Sequence, residues 1–369
     1  MDNLLKLFST NPPAALILSL ALLGIVLTVL ILCAVAFAQG RSISFWPPAI
    51  GERPGAKLES GSEARGDKVL VESAPAEYSP SNPVVDRGAI LQGSSGSVYR
   101  ILSSVYGGAN ATLFKAHDQQ GNAVIAKVYW RGLIPNSPPW ELFKQEQRAA
   151  EILNHRNIVR MLDRGLRMGY PFTIVEYMGG GTLRDWLRTH DRMPGHDINS
   201  IAFQLADAID YAHSRGVIHR DIKPGNILFE SDPNGRVALS DFGIAAILGA
   251  AQRDITAAGG EFSGSPGYLA PELILGVPSN RASDIYSFGV VVYEMIANTL
   301  PFDEYQSPLA TINAKVNHDA PNIQQFRPDV PEGIAASLAR MIARDPAQRP
   351  NSAREALAEI GSWLMTVSV

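Results

Sequence analysis

Val217-Ile218-His219-Arg220-Asp221-Ile222-Lys223-Pro224-Gly225-Asn226-Ile227-Leu228 is the stretch whose reading decides the fold. It sets a carboxylate, Asp221, two residues before a cation, Lys223, and five before an amide, Asn226, with Pro224 and Gly225 turning the chain between them. Moving a phosphoryl group to a hydroxyl needs a carboxylate to orient the attacking oxygen and take its proton. It also needs a positive charge beside the migrating group and oxygen ligands for magnesium. One short loop can hold all three.

The same residues resemble the catalytic loop of eukaryotic-type protein kinases, the H-R-D-x-K-x-x-N pattern, with every chemical position filled. The resemblance implies that Asp221 is the catalytic base, that Lys223 contacts the transferred phosphoryl group, and that Asn226 is a magnesium ligand. Lys223 also resembles the Ser/Thr-specific branch. Arg220, beside the base, is then the cation that receives a phosphorylated activation segment.

The bulk composition narrows the alternatives. The chain has 369 residues, 46 % of them apolar, enough for a full core. A net charge of -4 shows neither a basic excess for nucleic acid nor an acidic tail, and no nucleic-acid partner is expected. One cysteine, Cys33, excludes an intramolecular disulfide framework and a multi-cysteine metal site.

After a head at 1–13, residues 14–38 run without a charge. At about 1.5 Å rise per residue such a helix is long enough for a hydrocarbon core of about 30 Å, so the run is read as one transmembrane helix. Ala36-Phe37-Ala38 resembles a signal-peptidase site, but the apolar run exceeds that of a signal peptide. Lys6 is the one basic side chain before the run, while Arg41, Arg53 and Lys57 follow it closely, and this bias is read as placing the N-terminus outside and the rest of the chain in the cytoplasm. Residues 39–97 are rich in Pro, Gly and Ser without apolar periodicity, and are read as a flexible juxtamembrane linker.

The resemblance then locates the nucleotide residues. The match to the ATP-binding lysine strand is Val124-Ile125-Ala126-Lys127, which implies that Lys127 binds the α- and β-phosphates. Ile90 to Tyr99, with its glycines, resembles a phosphate-covering loop, but Val98 lies 29 residues before Lys127, too far for one hairpin. Leu113 lies 14 before it, so the loop is placed at Val105–Leu113, with Val105, Gly107, Gly108, Leu113 and Ala126 lining the nucleotide. Against G-x-G-x-x-G-x-V, Tyr106 and Ala111 replace the first and third glycines, and only Gly108 keeps its place. A side chain at Tyr106 either weakens ATP binding or leans outward. Glu141, Glu146 and Glu151 compete as the acid partnering Lys127. Glu146 is preferred because it lies nine residues before His155 of an H-x-N-I-V-like turn.

Further on, Val175-Glu176-Tyr177-Met178 takes the position of the interlobe hinge. The resemblance makes Val175 the gatekeeper and gives backbone groups of Glu176 and Met178 to adenine. Asp241-Phe242-Gly243 follows a short strand 20 residues beyond Asp221, which implies that Asp241 is a second magnesium ligand. Residues 244–263 read as the activation segment, with Thr256 and Ser263 as candidate phosphorylation sites. Gly264 to Glu272 resembles the family's G-[ST]-x-x-Y-x-A-P-E, which implies that Ser265 bonds near Asp221 and Lys223, and that Glu272 pairs with a later arginine, Arg349. Asp284 is read as holding the backbone of the catalytic loop, and His213 and His219 as structural.

The expected architecture is α+β: a two-lobed protein kinase fold over 98–364, with an antiparallel-sheet lobe at 98–178 and a helical lobe at 179–364. The expected activity is a membrane-anchored Ser/Thr protein kinase using ATP and Mg2+, with Mn2+ able to substitute, acting on proteins and on a second copy of itself. Two other functions compete with it. An ATP-binding pseudokinase scaffold is suggested by the departed glycine loop, and a small-molecule kinase would not be expected to carry the Ser265–Glu272 segment.

Overall fold

The strand Ala123–Tyr129 shows how pattern becomes structure: Val124, Ala126 and Val128 are buried, and the residues between them, Lys127 included, are half-buried on the other face. The computed structural model describes residues 85–107, 111–129, 144, 147–242, 266–302 and 307–366. All of these lie within the unit Leu70–Val369.

Six strands form an antiparallel sheet: β1 Ile90–Gln92, β2 Val98–Gly107, β3 Ala111–His117, β4 Ala123–Tyr129, β5 Met161–Arg167 and β6 Tyr170–Glu176, in the order β1-β2-β3-β4-β6-β5. The hairpin expected before Lys127 is therefore present. β2 turns into β3 with Gly107 opposite Thr112, and β3 sets Leu113 opposite Lys127. Its inner face buries Leu91, Ile101, Phe114, Ala116, Phe172 and Ile174. Residues 147–152 are helical.

The start of the fold differs from the expected boundary at 97. Ile90–Gln92 pairs with Val98–Arg100, and the Gly88 N–H donates to the Ile101 carbonyl, so at least 88–97 belong to the domain. Serine hydroxyls fix this turn. Ser94 and Ser95 donate to the Asp163 carboxylate at 3.3 and 2.5 Å, and Tyr99 OH donates to it at 3.1 Å. A three-residue strand is too short to show a period, and its anchor lies about seventy residues away.

The second lobe is helical: α1 Leu183–Thr189, α2 Gly195–Ser214, α3 Pro271–Ile274, α4 Arg281–Ala297, α5 Pro308–Asn317, α6 Glu332–Met341 and α7 Ala353–Leu364. Thr182 caps α1 through the Asp185 N–H, and Asp185 returns a bond to the Thr182 N–H. α2 buries Ile198, Ile201, Leu205 and Ile209 at helical spacing. α4, capped at Asn280 by a second reciprocal pair with Ser283, is buried over most of its length and forms the centre of this lobe. A two-stranded sheet, β7 Ile227–Phe229 with β8 Val237–Leu239, lies against α2 and carries the catalytic loop on one side and Asp241 on the other.

Among the described residues no helix is long and apolar enough to cross a membrane. The span expected at 14–38 lies outside them, as do Glu146, Gly108, Thr256, Ser263 and Ser265.

Candidate active site

Burial fixes Lys127 on β4 because its neighbours Ala126 and Val128 face the sheet core. Its ammonium reaches Asp241 Oδ1 at 2.9 Å and lies 5.3 Å from the Tyr129 ring centroid. Burial pushes the Asp241 carboxyl up, but the Lys127 ammonium and its hydrogen bond, with His219 and Lys223 nearby, hold it below the usual carboxylate range. Of the three acids that compete for Lys127, Glu151 instead bonds Arg164 at 2.6 Å.

The turn Pro224–Asn226 folds the loop back on itself. Lys223 Nζ donates to Asp221 Oδ2 at 2.7 Å, and Asn226 Nδ2 donates to the same oxygen at 2.9 Å and to the Asp221 carbonyl at 2.8 Å. Asp221 Oδ1 has no protein donor among the described residues. The Asn226 carbonyl accepts from the Ser240 N–H at 2.9 Å, which ties the loop to the residue before Asp241.

Asp284, on α4, sets this loop. Its carboxylate accepts from the His219 N–H at 2.8 Å, the Arg220 N–H at 2.7 Å and His213 Nε2 at 2.7 Å. His219 in turn bonds the Ser240 carbonyl through Nε2 at 2.8 Å and stacks edge-on with Phe242. Arg220 and Asp241 adopt φ of 73° and 63°, left-handed values that side chains other than glycine avoid. Such strain persists where surrounding bonds over-determine the backbone, and Asp284 supplies them at Arg220. The Arg220 Nε is buried with no hydrogen-bond partner among the described residues.

At the hinge, Val175 lies between Ile125 and Met161, and the Glu176 N–H donates to the Arg160 carbonyl at 3.0 Å. The Glu176 side chain is held by Arg236 at 2.7 Å, and that clasp ties the hinge to β8. Sequence reading missed this arginine, because nothing local marks a partner 60 residues away. Met178 is buried, and its N–H donates to no protein group among the described residues. On the covering hairpin, Val105 and Tyr106 are 58 % and 64 % exposed, so the Tyr106 side chain is not folded into the sheet.

Glu272 and Arg349 form the expected pair, bidentate at 2.7 and 2.8 Å, and buried. Burial pushes the Glu272 carboxyl up, but the Arg349 guanidinium outweighs it and holds the group below its ordinary range. Thus Lys127, Asp221, Lys223, Asn226 and Asp241 form one connected cluster between the sheet lobe and the helical lobe. Among the described residues no group of three or more His, Cys, Asp or Glu is poised to hold a metal ion.

This fold and this cluster define the protein kinases: residues 92–360 match the protein kinase domain, and the chain belongs to that family. It is similar to bacterial Ser/Thr kinases. It is 30 % identical over 263 residues to the serine/threonine-protein kinase PrkC of Bacillus subtilis, covering 71 % of this chain and 40 % of PrkC. It is 32 % identical over 254 residues to PknL of Mycobacterium tuberculosis, covering 69 % of this chain and 62 % of PknL. The chain thus spans less than two-thirds of the length of these curated relatives. A crystal structure of Rad53 1-466 in complex with AMP-PNP shares the fold at a TM-score of 0.58 and 26 % identity, covering 71 % of this chain and 65 % of that one.

Proposed function

We propose that this chain is a membrane-anchored kinase that transfers the γ-phosphoryl group of ATP to Ser and Thr hydroxyls of proteins, itself included. The observation that carries the reading is the convergence of Asp221, Lys223 and Asn226 on one turn, beside an Asp241 held on the Lys127 ammonium. With Oδ2 occupied by Lys223 and Asn226, Asp221 Oδ1 is the group that orients the substrate hydroxyl and takes its proton. The hydroxyl oxygen bonds the γ-phosphorus as the bond from that phosphorus to the β–γ bridging oxygen breaks, and ADP leaves. Lys223 neutralises charge on the group in transfer. The transition state is loose, so these residues act by position and charge.

ATP fits the residues present. The N–H of Met178 is available to the adenine edge, Lys127 suits the phosphates, and the related Rad53 structure holds AMP-PNP. The Asn226 amide uses its nitrogen on Asp221, which leaves its oxygen, with the Asp241 carboxylate, as a hard-oxygen pair suited to magnesium. Bound there, the ion would neutralise phosphate charge. The exposed Tyr106 favours the enzyme over the scaffold reading, because an outward ring leaves the hairpin free to cover phosphates.

Two finer proposals accompany this one. Residues 14–38 anchor the chain, with the kinase domain on the cytoplasmic side. Phosphorylation of Thr256 or Ser263 orders the activation segment through Arg220, whose buried Nε has no acceptor among the described residues and could take one from a phosphate. Phosphosite mapping that finds the active enzyme unmodified over 244–263 removes the second proposal.

The test is labelling of the full chain with ATP and magnesium, beside Asp221→Asn and Lys127→Met. The parent is expected to label itself on Ser or Thr, and each variant to lose at least about a hundredfold. A parent that binds ATP yet labels neither itself nor generic proteins overturns the reading in favour of a scaffold.

A further inference from the structure

Lys315, on α5, is fully buried, an unusual place for a flexible ammonium. Burying a cation is costly unless its donors are met, so its partners show what it is held for. Among them are the carbonyls of Pro266, at 2.8 Å, and of Gly267. The ammonium also lies 5.1 Å from the Tyr286 ring centroid, whose ring is approached by Arg349 at 4.8 Å. The turn Pro266–Tyr268 is thus gripped from two helices. α4 holds Tyr268 through Ser287, which donates to its carbonyl at 2.8 Å, and through Glu294, which accepts from its hydroxyl at 2.7 Å. α5 holds the two preceding carbonyls through Lys315.

We propose that Lys315 is a positioning residue that sets the backbone of the turn Pro266–Tyr268, part of the segment that the protein-kinase resemblance gives to the peptide site, and so governs affinity for the protein substrate rather than for ATP. This rests on the protein-kinase reading above. Without the ammonium, two carbonyls in a buried turn lose a charged donor, and the turn relaxes where the residues flanking the acceptor hydroxyl would lie. Lys315 acts from α5 on the turn Pro266–Tyr268, whereas Lys127 is on β4, Met178 follows β6 and Asp241 follows β8, so binding of ATP has no reason to change.

The test uses the full chain with Lys315→Met, which keeps the length of the side chain without its charge, and Lys315→Gln, whose amide can still donate to one carbonyl. Peptide KM is measured with whichever member of a degenerate Ser/Thr peptide library the parent labels fastest. Amide hydrogen exchange is followed over 267–269. Lys315→Met is expected to raise peptide KM on the order of tenfold, leave ATP KM and peptide-independent ATP hydrolysis unchanged, and speed exchange at 267–269. Lys315→Gln should fall between it and the parent. Unchanged exchange, or an unchanged peptide KM in an active parent, overturns the proposal. So does a fall in Tm with both KM values rising together, which would mark a purely structural lysine. A parent that labels no peptide removes the protein-kinase reading instead, and the exchange measurement then decides the positioning role by itself.

Discussion

Asp284 binds three donors with one carboxylate, and two of them are consecutive backbone N–H groups of the catalytic loop. An Asp284→Asn variant keeps the shape but must turn an amide N–H toward one of those donors. Losing one buried bond of this kind costs about 1–3 kcal/mol, so we expect kcat to fall by one to two orders of magnitude with ATP KM little changed, as read by steady-state kinetics. Glu272 and Arg349 make a different kind of residue-scale statement. A carboxyl whose pKa is lower folded than unfolded adds stability that is complete above its unfolded value and is lost as pH falls through the folded one. Glu272 is such a group, so its contribution is full at neutral pH and fades only in acid, below a pH of about 4. Glu272→Gln leaves the buried Arg349 uncompensated. It should cost roughly 3–5 kcal/mol at neutral pH and flatten the acid limb of a denaturant-midpoint-against-pH curve.

At the scale of elements, the sheet lobe depends on a close approach that one methyl group would block, and the helical lobe on a helix cap. A Cβ on Gly165 of β5 would sit 2.5 Å from the Phe172 ring and 2.8 Å from the Gln92 carbonyl of β1. Gly165→Ala is therefore expected to destabilise the domain by about 1–3 kcal/mol and to expose the 88–97 segment to limited proteolysis before the rest of the chain. In the helical lobe, α4 positions both Asp284 and Ser287, so its start matters to the site. Asn280→Ala removes the cap and should cost about 1 kcal/mol in chemical denaturation, with catalysis reduced less than by Asp284→Asn.

For the whole molecule, the anchoring proposal makes the full chain a membrane protein that resists carbonate extraction, and makes a chain lacking residues 1–38 soluble. Recovery of both in the soluble fraction would refute it. How much of this molecule could be read without a structure depends on how far apart the cooperating residues lie. Asp221, Lys223 and Asn226 fall within six residues, so a single turn dictates their meeting, and the alternation around Lys127 and the periodicity of α2 are likewise local. The sequence, read with the kinase pattern that these local motifs resemble, therefore implied the two-lobed fold, the place of the covering hairpin ahead of Lys127, and the residues of the cluster. The Glu272–Arg349 pair, too, was reached through the family pattern, which bridged the 77 residues between them. What tertiary structure alone decided are contacts between positions with no shared period: the serine turn at 93–97 closing on Asp163, Arg236 clasping the hinge at Glu176, and Lys315 buried beneath Pro266 and Gly267. A lysine on an amphipathic helix reads as a solvated charge, and only the packing of α5 against the turn turns it into a buried one, because burial is a property of the neighbours that the fold brings together.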